Sequence, residues 1–192
     1  MSISLSFFDC PTLKVLEDLM GMVLVRKSRE GLFSGIIVEA EAYQGEDDPA
    51  SFAFRGRTKR SEMLYGSPGR AFVYLTYGIH HMLNIITEKE GFPAAVLIRA
   101  AEPRAGMALM MKRRKTDNLL NLCSGPAKLC QAFGIDLSLN GVQLDSSNSP
   151  LYLVEGEQSK KSLIWKPRIG IREGKDRLWR AYIKDSPFIS YK

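Results

Sequence analysis

The stretch Ile36–Tyr43, Ile-Ile-Val-Glu-Ala-Glu-Ala-Tyr, decides how this chain is organised. Its β-branched start and alternating polarity read as a β-strand, whose side chains point to opposite faces by turns. Strict alternation gives one apolar face, Ile36, Val38, Ala40 and Ala42, and another of Ile37, Glu39, Glu41 and Tyr43. Two carboxylates and an aromatic ring on one strand face fit two readings. The first is a half-exposed strand with a solvated acidic face. The second is a carboxylate held in a cleft beside a stacking ring, because buried charges are paired or used.

The neighbouring segments supply a sheet for this strand. Met22–Lys27 is an apolar run that joins it as a β-hairpin across the turn Ser28–Gly31. Before that run, Leu13, Leu16 and Met20 recur at helical spacing. Asp9-Cys10-Pro11 reads as the start of that helix, with a capping carboxylate, and Gly21 as its C-terminal cap. After the strand, residues 44–70 form a long connection. It carries the turn cluster Gly45–Pro49, the aromatic residues Phe52, Phe54 and Tyr65, and the basic run Arg55, Arg57, Lys59 and Arg60. A connection of this length is functional or disordered, and its aromatic residues favour function.

Arg70–Tyr77, Met82–Thr87 and Ala94–Ala101 read as an antiparallel meander. Phe72, Tyr74 and Thr76 share one face of its first strand, and Tyr77-Gly78 makes a tight turn. Glu102-Pro103 is expected to end the third strand. Residues 104–115 read as a helix burying Met107, Met110 and Met111. Ser124-Gly-Pro126 opens a second helix, Ala127–Phe133, closed by Gly134; a helix start of this kind offers free N–H groups to a phosphate, with Lys128 alongside. Leu151–Glu155, Ser162–Ile171 and Trp179–Lys184 complete the strands. Gly170, inside one of them, marks a close approach of backbone to a ligand.

The bulk composition narrows the function classes. The 192 residues, 45% hydrophobic and 25% charged, suffice for one domain with its own core. Lys and Arg outnumber Asp and Glu by 27 to 21, and the pI near 9.3 points to a polyanionic partner. No apolar run is long enough for a membrane span, and no secretion signal opens the chain, so a cytoplasmic protein is expected. Three cysteines (Cys10, Cys123 and Cys130) with no C-x-x-C pair, and only His80 and His81, argue against a disulfide framework or a metal cluster.

Eight blocks taken in order resemble the alkyladenine DNA glycosylase family, the 3-methyladenine DNA glycosylases. They are Ile37–Tyr43, Arg55-Gly56 with Thr58-Lys-Arg60, Pro68-Gly69, Val73–Gly78 with Asn84, Val96–Ala100, Ser124–Pro126 with Lys128–Gln131, Pro167–Ile171, and Pro187-Phe188. The resemblance runs from about residue 12 onward. It implies a single α/β domain over 1–192, with a mixed, mainly antiparallel sheet and a few packed helices. The implied activity is monofunctional base excision: a damaged purine is flipped out of duplex DNA and its N-glycosidic bond is hydrolysed, leaving an abasic site.

By that resemblance Glu41 is the general base for water, with Arg99 and the backbone carbonyl of Ile169 beside that water, while Glu39 is structural. Tyr43 and Tyr74 stack on the extruded base together with Phe52, and Asn84 disfavours guanine. Tyr77 is the wedge in the minor groove, with Ile79 and His80 against the groove, and Arg114 and Lys128 meet phosphates. The implied partner is double-stranded DNA containing damaged purines, bound by a monomer. No cofactor is implied, because water is the nucleophile.

Two positions depart from the family pattern. Phe52 stands where histidine is usual, keeping the flat ring but lacking an imidazole donor, so hypoxanthine or ethenoadenine is expected to be handled less well. Ser61 stands where asparagine is usual and puts the ordering of the 55–66 loop in question. Both departures keep open a non-catalytic damaged-DNA-binding protein on the same fold. A free-nucleoside hydrolase is disfavoured by the basic run and the Tyr77 turn. A glycosylase–lyase is disfavoured because no lysine lies in the matched catalytic blocks.

Overall fold

The architecture is that of a computed structural model, which describes residues 3–156 and 162–191. Its spine is the 14-residue strand β2, Gly31–Gln44. Along one edge β2 pairs with β5, Ala94–Ala105. On the other edge its first half pairs with β1, Val23–Ser28, as the expected hairpin, and residues 39–41 pair with β8, Arg180–Ile183. Beyond β5 come β4, His80–Ile86, and β3, Ala71–Thr76, which complete the meander. Beyond β1 lies β6, Leu151–Val154, and β7, Leu163–Lys166, pairs with β8. Every pairing among the described residues is antiparallel.

The helices cover one face of this sheet. After the single turn α1, Leu5–Phe8, the helix α2 spans Thr12–Leu19 and buries Val15, Leu16 and Leu19. Helix α3, Met107–Arg114, precedes α4, Pro126–Phe133, which buries Leu129, Cys130 and Phe133. These side chains meet Ile37, Ala40, Ala42, Val73, Leu83, Val96 and Ile98 in the main core. Burial of this area is the principal stabilising term, and α4 has local punctuation as well. Proline opens its first turn, and Gly134 closes it at φ 64°, where a Cβ would be strained. The opposite face of the sheet carries Glu39, Glu41, Tyr43, Phe72 and Tyr74, and the 51–65 loop folds against it. Helices on one side and a covering loop on the other make a mixed α/β protein. No helix among the described residues is long and apolar enough to cross a membrane.

Several local expectations are corrected. Strict alternation fails in the centre of β2, where a bulge leaves Val38 opposite no residue of β5: Ile37 faces Ala101 and Glu39 faces Ala100. Ile37 therefore joins Ala40 and Ala42 in the main core, while Ile36 and Val38 pack with Ala100 in a separate cluster. Strand β5 runs through Glu102-Pro103 to Ala105, because the proline falls at a second register shift, where a missing N–H is tolerated. The carboxylate at the start of α2 is not that of Asp9. Glu88 accepts from the Thr12 N–H at 2.6 Å and from its hydroxyl at 2.8 Å, across 76 residues of sequence. Met110 is fully buried, but Met107, one helical turn earlier, is exposed.

Candidate active site

The site grows from the order of residues on β2. Beyond the bulge, Glu39, Glu41 and Tyr43 follow at the strand period of two, away from the helices, and both carboxylates are fully buried. Glu41 Oε2 accepts from the Tyr43 hydroxyl at 2.9 Å and faces Arg99 Nη1 at 3.2 Å. Glu41 Oε1 accepts from the Ile169 backbone N–H at 2.7 Å. The Ile169 N–H thus meets the carboxylate directly. Burial pushes the Glu41 pKa up, and Glu39 adds to this, against the pull of Arg99, the Ile169 N–H and the Tyr43 hydroxyl. Burial likewise raises the Tyr43 phenol well above its ordinary value, with the Glu41 charge second.

Glu39 occupies a different setting. It accepts from Arg99 Nε at 3.1 Å, Arg180 Nη1 at 3.0 Å, the Ser190 hydroxyl at 2.8 Å and the Ser190 N–H at 2.5 Å. Arg99 thus bridges the two carboxylates. The alternative of a solvated acidic face is excluded, because neither glutamate reaches solvent.

Ile169 is brought to Glu41 by the segment after β7, which is not the continuous strand Ser162–Ile171 of the sequence reading. Strand pairing stops at Lys166, and residues 169–170 bend. Gly170 has φ 78°, and a Cβ there would meet nothing within 4 Å. Glycine takes this left-handed backbone without strain. The preceding Arg168 is wholly buried and grips Asp48 through Nη1 at 2.6 Å and Nη2 at 2.7 Å. Its guanidinium also lies over the Tyr43 ring, 4.7 Å from the centroid. This pair ties the 44–50 turn to the 167–170 bend, and so fixes two of the groups that touch Glu41.

The expected base-binding residues form an aromatic wall. Phe52 meets Tyr74 edge-on at 4.8 Å, and Phe72 lies 5.3 Å from Tyr74. Asn84, on β4 opposite Phe72, is buried and donates to the Phe72 carbonyl at 3.3 Å. Burial raises the Tyr74 pKa and the Glu41 charge adds to the effect, so wall and carboxylate share one environment. Arg60 lies over the Phe52 ring, 4.0 Å from its centroid. Ser61, which put the ordering of the 55–66 loop in question, is buried and organises it. Its hydroxyl accepts from the Thr58 N–H at 2.8 Å and donates to the Gly56 carbonyl at 3.0 Å.

The β3–β4 turn stands apart from this wall. Tyr77 and Gly78 have φ of 51° and 72°, the signs of a type I′ turn, and the Ile79 N–H donates to the Thr76 carbonyl at 3.2 Å. A tyrosine in the left-handed region costs about 1–2 kcal/mol. This one is 91% exposed, beside Ile79 at 72%, with His80 also exposed. Arg114 and Lys128 converge at the 118–122 loop: Arg114 donates to the carbonyls of Leu122 and Asn121, and Lys128 Nζ reaches Asn121 Oδ1. Both hold that loop in place while remaining partly exposed.

A family model described as methylpurine-DNA glycosylase (MPG) matches residues 6–187. The chain belongs to this family. A relative from Prosthecochloris aestuarii is 50% identical over 186 residues, covering 96% of this chain and 88% of its own. Another from Methanocella arvoryzae is 46% identical over 188 residues, covering 96% and 93%. A third from Desulfitobacterium hafniense is 42% identical over 198 residues, covering 97% of each. All three carry the provisional name 3-methyladenine DNA glycosylase.

Sequence reasoning overlooked the supports of the Glu41 centre. Asp48 looked like one more acid in a turn cluster, and Arg180 and Ser190 carried no local signal. Asp48 meets Arg168 across 120 residues of sequence, and Glu39 meets Arg180 across 141 and Ser190 across 151. Among the described residues no three His, Cys, Asp or Glu side chains come together to hold a metal ion.

Proposed function

We propose that the protein is a monofunctional DNA glycosylase of base-excision repair, one glycosylase domain acting as a monomer. It flips an alkylated or deaminated purine out of duplex DNA and hydrolyses the N-glycosidic bond with water activated by Glu41. The observation that carries this reading is the environment of the Glu41 carboxylate. Tyr43 and Arg99 engage Oε2, whereas Oε1 takes the Ile169 N–H and keeps a second lone pair. That lone pair is the one available to a water proton.

In the proposed reaction the water oxygen forms a bond to the sugar C1′. Glu41 takes the water proton, and the electrons of the C1′–N bond leave with the purine. The transition state has oxocarbenium character, which a buried anion near C1′ stabilises. Arg99 keeps the carboxylate ionised and aimed. The groups touching Glu41 are a guanidinium, a phenol and a backbone amide, none of them the amine nucleophile that a lyase needs.

The wall of Phe52 and Tyr74, with Tyr43, offers π-faces that attract positively charged alkylated purines more than normal bases. Asn84 is assigned to exclude guanine. The exposed Tyr77, held at positive φ, suits a wedge that fills the gap left by the flipped nucleotide, with Ile79 and His80 along the groove. A basic chain with Arg114 and Lys128 at its surface suits a phosphate backbone. A second reading, a non-catalytic damaged-DNA-binding protein, is favoured by one observation: Arg60 covers a face of the Phe52 ring that the proposal uses for stacking.

Single-turnover release of 3-methyladenine and 7-methylguanine from methylated duplex DNA tests the proposal. Release without borohydride trapping of a DNA adduct is expected. Tight, salt-sensitive duplex binding without release of either base would favour the second reading.

A further inference from the structure

We propose that Ser190 is a positioning residue: through Arg99 and Glu39 it aims the Arg99 guanidinium at Glu41. The inference rests on the glycosylase reading of Glu41, but its geometry is independent of substrate. Arg99 is held on three sides. Nε donates to Glu39 at 3.1 Å, Nη1 faces Glu41 at 3.2 Å, and Nη2 donates to the Ser190 hydroxyl at 3.2 Å. A planar guanidinium pinned at three nitrogens is fixed in direction as well as place. The same hydroxyl donates its own proton to Glu39 Oε1 at 2.8 Å, while the Ser190 N–H donates to Oε2 at 2.5 Å. Ser190 therefore closes a ring of hydrogen bonds with Arg99 and Glu39.

The segment that presents Ser190 is anchored by the bulge in β2. That bulge turns Ile36 and Val38 onto a cluster with Ala100, away from the main core, and Phe188 and Ile189 pack against this cluster. The next residue after this anchor is Ser190, at the level of Glu39. Arg180 secures the far side by donating to Glu39 at 3.0 Å and to the Tyr191 carbonyl at 3.0 Å. Arg99, Tyr43, Glu39 and Tyr74 interact with the Glu41 charge. Of these, Ser190 touches Arg99 and Glu39, so its hydroxyl acts on Glu41 only by way of them.

Ser190→Ala is the test, because it removes the hydroxyl and keeps the N–H bond to Glu39; Ser190→Thr is the conservative control. Two readouts are taken. The first is the titration of the Glu41 carboxyl followed by NMR of glutamate-labelled protein, assigned with Glu41→Gln. The second is single-turnover release of 7-methylguanine, with duplex affinity measured alongside. Ser190→Ala is expected to move the Glu41 titration to higher pH. It should slow release by about tenfold, as a small misplacement of a catalytic group does, without weakening duplex binding. Ser190→Thr should restore both. An unmoved Glu41 titration in Ser190→Ala would overturn the proposal, whatever the rate. A moved titration in a protein that releases no base supports the positioning role and sinks the glycosylase reading instead.

Discussion

Glu39 and Glu41 are the same residue type on the same face of the same strand, two positions apart, and both are buried. Their surroundings divide their work. Glu39 meets two guanidinium groups, a hydroxyl and a backbone N–H, so four donors, two of them charged, compensate its charge. Glu41 shares one guanidinium with Glu39 and otherwise has a phenol and one N–H. The first carboxylate closes a structural cluster, while the second is kept in a partly unsatisfied, desolvated state. A difference of environment between two like groups is what assigns roles in acid–base sites.

The largest expected effect breaks this symmetry through chemistry. Glu41→Gln keeps shape and removes the base, so release of methylated purines should fall by roughly 10²–10⁴-fold. Arg99 keeps its bonds to Glu39 and Ser190 in this variant, and a desolvated charge is gone. Stability to urea should therefore stay within about 1 kcal/mol of the natural protein. A large loss of stability would mean that Glu41 holds the fold as Glu39 does.

Glu39→Gln should show the reverse pattern. Arg99 would be left buried with Glu41, and Arg180 would lose its ion pair with residue 39. Breaking a buried ionic cluster of this kind costs about 3–5 kcal/mol, read as a lower urea midpoint. Release is expected to weaken as well, since Arg99 loses its orientation, but duplex DNA at saturating concentration should recover part of the lost stability by mass action. If Glu39→Gln melts like the natural protein yet loses all activity, the assignment of roles to the two glutamates is inverted.

How much of this was legible in the sequence differs between the two glutamates. The period of two put Glu39, Glu41 and Tyr43 on one face, and that holds because the bulge lies before them. The bulge itself had no signal: the Val38 side chain reads as an ordinary strand residue, and only pairing with β5 shows that it is extra. The ends of α4 were legible because proline and glycine act within a turn of where they sit. The cap of α2 was not, because it comes from Glu88 through a fold not encoded locally. The partners of Glu41 divide the same way. Tyr43 is its strand neighbour, Arg99 was carried by the family resemblance, and the supports at Asp48, Arg180 and Ser190 exist only once distant segments meet.

The smallest expected effect sharpens the comparison through pH. The Glu41 pKa is raised in the folded protein above the ordinary 4.5, chiefly by burial. A general base works only when ionised, so kcat/KM should fall as pH drops through that raised value, at higher pH than an ordinary glutamate would give. The linkage to stability has the opposite sense. Between the unfolded and the raised folded pKa, the folded state binds more protons than the unfolded chain. Glu41 thus favours the fold below this window, and its contribution declines as pH rises through it. Activity should therefore be lost on acidification in a protein that Glu41 itself is not destabilising. Urea midpoints of the natural protein and Glu41→Gln, measured through the acid range, should differ by a term that grows with pH across the window and then levels off. Parallel curves would mean that Arg99, Tyr43 and the Ile169 N–H cancel the cost of burial, leaving Glu41 as well compensated as Glu39.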